Sequence, residues 1–326
     1  MNKILLTVAI PTYNRPAKAT ALINKLNSLE SPIEYELLVA DNCTNNGQVL
    51  IDSNLEYRNF KYLKRTVNIG LLANVMRLYE EAAGKWLVIL GDDDDVSSDF
   101  FFNIHSEILA AQNKSKSNLL AVKFKTALDE NQRNLNVLDK DSFLNLLSDP
   151  DVFSTTILIS SWMFNREHLI QYVRYSYLYS GLQIPHVCPV IAALEDDTTS
   201  YVKYSTLETA VHKTPDSGDL WNFGLTFGMM ITTVFVCNFF QSKRQIKSFI
   251  KGITGNNIVK TVSFLLKVKL TVSKITYNQI CRSLKSISLT YSVSIIATNI
   301  ASVLLPKSIL RNRFHSIIVS NSTVRM

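Results

Sequence analysis

Residues 3–10 form a nearly unbroken apolar run, the pattern of a strand covered on both faces, and it stops at Pro11-Thr12-Tyr13-Asn14-Arg15. Pro16 then opens a helix whose apolar face is Leu22, Leu26 and Leu29, with Asn14 or Arg15 near its cap. Residues 35–40 predict a second strand, ending in Asp41-Asn42. A third, residues 60–63, leads through Asn68-Ile69-Gly70 into a helix carrying Leu72, Val75, Met76 and Tyr79 on one side. Trp86-Leu87-Val88-Ile89-Leu90 is a fourth strand, followed by Gly91 and four aspartates, Asp92 to Asp95. Strands alternating with helices, each strand ending in polar residues, predict an α/β fold with a doubly wound, mostly parallel sheet and one crevice.

In such sheets ligands collect beyond the carboxyl ends of the strands. Carboxylates crowded at one strand end repel each other unless a cation neutralises them, and hard divalent cations take oxygen ligands. The aspartate run therefore points to a Mg²⁺ or Mn²⁺ site able to hold a phosphorylated substrate. A solvated acidic turn is the plainer alternative.

The segments Ile10 to Arg15 (IPTYNR), Val39 to Asn42 (VADN), Asn68 to Asn74 (NIGLLAN) and Leu90 to Asp95 (LGDDDD) occur in an order and spacing that resembles family 2 glycosyltransferases of the GT-A fold, over roughly the first hundred residues. The resemblance implies transfer of a sugar from a nucleoside diphosphate sugar, by direct displacement with inversion, with a divalent metal on the diphosphate. It implies that Pro11, Thr12, Tyr13 and Arg15 line the nucleotide-sugar site and that Asp41 hydrogen-bonds the base. Asn68, Gly70 and Asn74 would shape the nucleotide and diphosphate site. The metal motif departs from the common family form, in which an Asp stands where this chain has Gly91. Aligned on Asp99, the metal ligand is Asp93 with Asp94 in support, Asp92 reaches the ribose, and Asp95 caps or solvates the turn.

Further along, residues 119–124 and 155–164 predict two more strands, the second leading into a helix near Arg166. Where many family members carry Glu-Asp at a helix start, this chain has Pro185-His186, a departure that resembles bacterial O-antigen (abequosyltransferase-like) enzymes. His186 is thus a candidate general base, since an imidazole takes a proton at neutral pH, with Asp196 or Asp197 as the fallback. A His packed at a helix start is the competing reading. His212, after the apolar stretch 207–211, suits closure over a diphosphate or completion of a metal site. A surface loop is its alternative.

Charge divides the chain. Residues 220–326 hold nine Lys and five Arg with no acid, +14, while the first 219 hold 20 bases and 27 acids, −7. Two regions follow: 1–219, the nucleotide-sugar-binding and catalytic domain, and 220–326, a basic, mainly helical region. The basic residues alternate with apolar ones, as in Leu266-Lys267-Val268-Lys269-Leu270 and Leu310-Arg311-Asn312-Arg313-Phe314, which suits an anionic membrane surface. No zinc-finger or RNA-binding spacing favours nucleic acid. The uncharged stretches 220–242 and 286–305 are long enough to span a bilayer, but their Asn, Ser and Thr content predicts buried or interfacial helices. Cys43, Cys188, Cys237 and Cys281 are too scattered for a zinc or disulfide framework.

Together these features predict a glycosyltransferase, peripheral on the inner face of the cytoplasmic membrane. Its donor would be a nucleoside diphosphate sugar and its acceptor a lipid-linked saccharide, in O-antigen or similar surface-polysaccharide synthesis. A nucleotidyltransferase would instead show a Gly-rich, basic loop after the first strand. A non-catalytic basic membrane-binding protein is the remaining alternative.

Overall fold

The computed structural model describes residues 4–43, 59–113, 118–126, 134–182, 184–211, 230–231, 240, 242–255, 257–271, 274–285 and 289–304. Two compact units emerge. The first comprises residues 1–143, 155–180 and 184–213; the second, 144–154, 181–183 and 214–326.

The first unit is built on one mixed sheet. Its strands are β1 (Leu6–Thr12), β2 (Tyr35–Asp41), β3 (Phe60–Lys64), β4 (Trp86–Ile89), β6 (Leu119–Lys125), β7 (Leu135–Val137), β8 (Trp162–Asn165) and β9 (Tyr201–Glu208), in the order β3-β2-β1-β4-β8-β6-β9-β7. β1, β2, β3 and β4 run parallel. β8 is antiparallel to both its neighbours, β4 and β6, so β6 again runs with β4. A two-stranded ribbon pairs β5 (Asp95–Val96) with β10 (Ala210–Val211). The α/β sheet follows the expected doubly wound scheme, with the antiparallel β8 inserted.

Strands β1 and β4 are buried along their whole length, which is why they read as continuous apolar runs. Helix α1 (Pro16–Ser28) lays Ala19, Leu22, Ile23 and Leu26 on this sheet, and α3 (Phe100–Gln112) adds Phe100, Phe101, Ile104 and Ile108. Each such large apolar side chain contributes about 1.5–3 kcal/mol by leaving water. α2 (Leu71–Glu81) starts after Gly70, whose φ of +84° is a backbone state that L side chains rarely adopt.

The expected strand at 155–164 is corrected. α4 (Lys140–Leu146) is followed by α5 (Pro150–Thr156), which consumes Thr155 and Thr156, a 3₁₀ turn takes Ile159–Ser161, and only Trp162–Asn165 is strand. The short helices α6 (Arg166–Leu169) and α7 (Val173–Leu178) then lead to α8 (Cys188–Asp196).

In the second unit the described helices are Lys243–Thr254, Ile258–Thr271, Lys274–Lys285 and Leu289–Leu304. Phe249, Ile250, Leu265, Val268, Ile280 and Leu284 are buried, with Phe153 packed edge-on against Phe249. Lys243, Arg244, Lys247 and Lys260 are exposed. No helix among the described residues is long and apolar enough to cross a membrane. Most of 220–242 and the pair Arg311 and Arg313 lie outside the described residues.

Candidate active site

The tips of β1, β2 and β4 lie side by side. Thr12 is level with Asp41 in the β1–β2 register, the Asn42 amide donates to the Thr12 carbonyl at 2.8 Å, and the Leu90 amide to the Ala9 carbonyl at 2.9 Å. The aspartate run leaves β4 beside them, and the structure gives each carboxylate a separate task. Asp92 is buried; its Oδ2 accepts the Thr12 hydroxyl at 2.6 Å. Its Oδ1 lies 2.7 Å from an Arg15 guanidinium nitrogen and accepts no aligned hydrogen bond. The other Arg15 nitrogen donates to Asp93 Oδ2 at 2.9 Å. Asp94 turns inward, accepting the Gly91 amide at 2.8 Å and the Ser160 hydroxyl. Asp95 pairs with Lys25 of α1 and accepts the Val96 amide at 2.9 Å.

Gly91, where family members carry Asp, has a local reason. A Cβ there would stand 2.8 Å from Asp94 Oδ2, so a side chain at this position would require the Asp94 carboxylate to swing away from the Gly91 amide. Burial is the main influence on Asp92 and pushes its carboxyl up to about 6, against the lowering pull of the Thr12 hydrogen bond and Arg15.

The nucleoside side of the crevice is a hydrogen-bonded frame. Asp41 is fully buried and accepts the Tyr62 hydroxyl at 2.7 Å. Asn42 donates to Asn68 Oδ1 at 2.7 Å and accepts the Ile69 amide at 2.9 Å. The same Asn68 oxygen takes the Gly70 amide at 2.9 Å. Asn74 is buried and donates to the Ala40 carbonyl at 2.9 Å, so it ties α2 to β2 and does not face the crevice. Arg65, just past β3, grips Glu81 through two bonds of 2.6 and 2.7 Å and reaches Asn74 Oδ1 at 3.3 Å. Pro11 is buried at the end of β1, while Tyr13 is exposed beyond it.

Besides Asn74, three expected roles change. His186 is only 2% exposed; its Nε2 sits 3.2 Å from the Thr156 carbonyl, and its ring meets Trp162 and Phe164 edge-on. Burial lowers its pKa to about 4, so it is a neutral imidazole packed among core side chains. Asp196 closes the far end of α8, where its carboxylate accepts the Tyr172 hydroxyl at 2.6 Å. The adjoining Asp197 accepts from Asn118, one residue before β6 begins, and β6 runs with β4. Asp197, and Asp196 next to it, therefore lie toward the opposite end of the strands from Asp92, roughly 20 Å away along a seven-residue strand. Asp94, expected to support a metal, is committed to the Gly91 turn and Ser160.

His212 lies outside the described residues; Val211, the residue before it, pairs with Asp95. Lys25, Arg65 and Ser160 were not singled out from sequence, and Asn42 appeared only as the polar end of the second strand and of the VADN segment. Asn42 and Arg65 sit directly after strand ends, which is a usable signal; Ser160 lies in a 3₁₀ turn with none.

Asp92 and Asp93 present two carboxylate oxygens to one cationic centre, and Asp92 Oδ1 is buried without an aligned donor. These residues fit a divalent ion carried by a diphosphate, which needs only one or two protein carboxylates. Among the described residues no group of three or more His, Cys, Asp or Glu could hold an ion by itself.

Residues 7–115 match the family model described as Glycosyl transferase family 2. Abequosyltransferase RfbV of Salmonella typhimurium is 31% identical over 100 residues, 29% of this chain and 30% of that protein. The chain thus matches under a third of that curated relative's length. Among solved structures, S. aureus TarS 1-349 superposes with a TM-score of 0.52 at 14% identity, covering 98% of this chain and 90% of the other. Its complex with UDP-GlcNAc superposes at 0.54 and 15% identity over the same shares. These two likenesses show the GT-A type of fold.

Proposed function

We propose that this chain transfers a sugar from a nucleoside diphosphate sugar to a lipid-linked saccharide acceptor, in assembly of O-antigen or a similar surface polysaccharide. The observation that carries the reading is the Thr12–Asp92–Arg15–Asp93 chain of contacts at the tips of β1 and β4, inside the family 2 match. The named activity of the RfbV relative supports the O-antigen assignment, and the UDP-GlcNAc bound by TarS supports a nucleotide sugar as donor.

Asp41, Asn42 and Asn68 frame the nucleoside, held in place by Tyr62 and the Ile69 and Gly70 amides. α1 and α2 begin shortly after the tips of β1 and β3, and the N-terminus of a helix suits an anion such as a diphosphate. Arg15, the N-cap residue of α1, makes no side-chain capping bond there. Asp93, with Asp92 behind it, would hold a Mg²⁺ or Mn²⁺ ion, and such an ion supplies charge that stabilises the leaving diphosphate. Val211 beside Asp95 supports His212 as a further diphosphate or metal contact. The exposed cations of residues 243–260 and the acid-free stretch 220–326 support contact with anionic lipid on the cytoplasmic face.

The test is a thermal-shift panel with CDP, UDP, GDP and dTDP, each with and without Mn²⁺, followed by transfer assays with the matching sugar nucleotides. One nucleotide should raise the melting temperature only when Mn²⁺ is present. If no nucleotide does so and no donor is consumed, the glycosyltransferase reading fails.

A further inference from the structure

Arg15 occupies the ground that an incoming cation would need. Asn14, at φ +54°, turns the chain sharply after β1, and Arg15 follows as the residue that precedes α1. Its side chain makes no capping bond to that helix. Instead its guanidinium forks across two different residues, 2.7 Å from Asp92 Oδ1 and 2.9 Å from Asp93 Oδ2. A planar guanidinium commonly grips one carboxylate through both oxygens, as Arg65 grips Glu81 here. Spanning two carboxylates places the positive charge between them, where it offsets their mutual repulsion. Asp92 is buried and Asp93 has 38% of its side chain exposed, while Arg15 has 35% exposed and so has a path outward.

We propose that Arg15 is a resident counter-ion that must exchange partners: it neutralises Asp92 and Asp93 in the empty site and passes to the diphosphate when the donor arrives. The inference rests on the nucleotide-sugar reading of the site. Its physical basis is competition for two oxygens. A cation arriving alone has to displace a charge-assisted pair, and the guanidinium then loses both carboxylate contacts. A cation arriving with a diphosphate brings the guanidinium a new acceptor of matching fork geometry. Arg15 therefore makes cation binding and nucleotide binding depend on each other, a coupling that acts equally in both directions.

The measurement is Mn²⁺ affinity, read by the electron paramagnetic resonance of free Mn²⁺ and by calorimetry, with MnCl₂ alone and then with CDP, UDP, GDP or dTDP. Arg15→Gln keeps a polar side chain, and Arg15→Lys keeps the charge while losing the fork. In the wild type, the matching nucleotide should tighten Mn²⁺ binding. With MnCl₂ alone, Arg15→Gln should bind Mn²⁺ about tenfold more tightly than wild type, a difference of about 1.4 kcal/mol. The enhancement of Mn²⁺ binding by nucleotide should shrink by a similar factor, with Arg15→Lys in between. Equal Mn²⁺ affinity in wild type and Arg15→Gln, in a protein that still binds nucleotide with Mn²⁺, overturns the counter-ion role alone. No nucleotide binding by the wild type under any condition overturns the site reading and this inference together.

Discussion

The Thr12 hydroxyl donates to Asp92 Oδ2 at 2.6 Å, joining the tip of β1 to the residue that opens the aspartate run after β4. That bond and the Arg15 contact stabilise the charged carboxylate, yet burial outweighs them and leaves the carboxyl at about 6. The site thus holds a partly desolvated carboxylate at neutral pH, at a cost that a ligand cation can relieve.

A pH-dependent stability follows. Between roughly pH 4 and pH 6 the folded protein holds a proton on Asp92 that the unfolded chain has released. The folded state therefore binds more protons, and the contribution of Asp92 to stability falls as pH rises through that window. Replacing it with Asn removes the titration while keeping an acceptor for Thr12. In the absence of ligand, Asp92→Asn should gain on the wild type between pH 4 and pH 7, by up to about 3 kcal/mol for a displacement of this size. Denaturant melts across the pH range measure it. A difference independent of pH would show that burial does not control this carboxyl.

His186 has the opposite sign. Its folded pKa, about 4, lies below the ordinary 6.5, so the unfolded chain takes up a proton first as pH falls. Its stabilising contribution is complete above about pH 6.5 and is lost as pH drops toward 4. His186→Gln can still donate to the Thr156 carbonyl and does not titrate. It should flatten the acid loss of stability relative to wild type and leave the transfer rate at pH 7 within a few-fold. A general base would cost roughly 10²-fold or more. A loss of that size in a variant that remains folded would restore His186 to the chemistry.

The parallel strands and their polar ends were legible because β1, β2 and β4 are covered on both faces, which writes long apolar runs into the chain. The aspartate run was legible as a site; the tasks of its members were not. Lys25 reaches Asp95 from α1, and Ser160 reaches Asp94 from a turn 66 positions away, contacts that no spacing encodes. Residues 155–164 misled for a related reason. Ile157, Leu158 and Ile159 are apolar, as in a strand, but Thr155 and Thr156 complete a helix and a 3₁₀ turn intervenes before Trp162. His186 looked reactive because sequence does not reveal that Trp162 and Phe164, more than twenty positions earlier, close around it. The strand β9 escaped notice because Lys203 and Ser205 break its apolar run, and both turn to Glu107 of α3.

The basic region gives the last prediction. Lys243, Arg244, Lys247 and Lys260 are exposed, and the stretch 220–326 contains no acidic residue to oppose them. A Lys or Arg close to an anionic bilayer contributes about 1 kcal/mol, so replacing these four by Gln should weaken vesicle binding by up to roughly a thousandfold. Binding should rise with the anionic lipid fraction. It should fall as salt is added, because exposed charges are screened over about 8 Å at physiological ionic strength. Transfer to a short, water-soluble acceptor should survive the four substitutions, since the aspartate site belongs to the other unit. Co-sedimentation with vesicles of graded phosphatidylglycerol content reads the first effect, and donor turnover reads the second. Binding that ignores both salt and lipid charge would assign the attachment to apolar contact, with Val259 and Ile296 the most exposed aliphatic side chains among the described residues of this unit. No binding at any composition would make the unit an ordinary packed domain and remove the membrane from the proposed function.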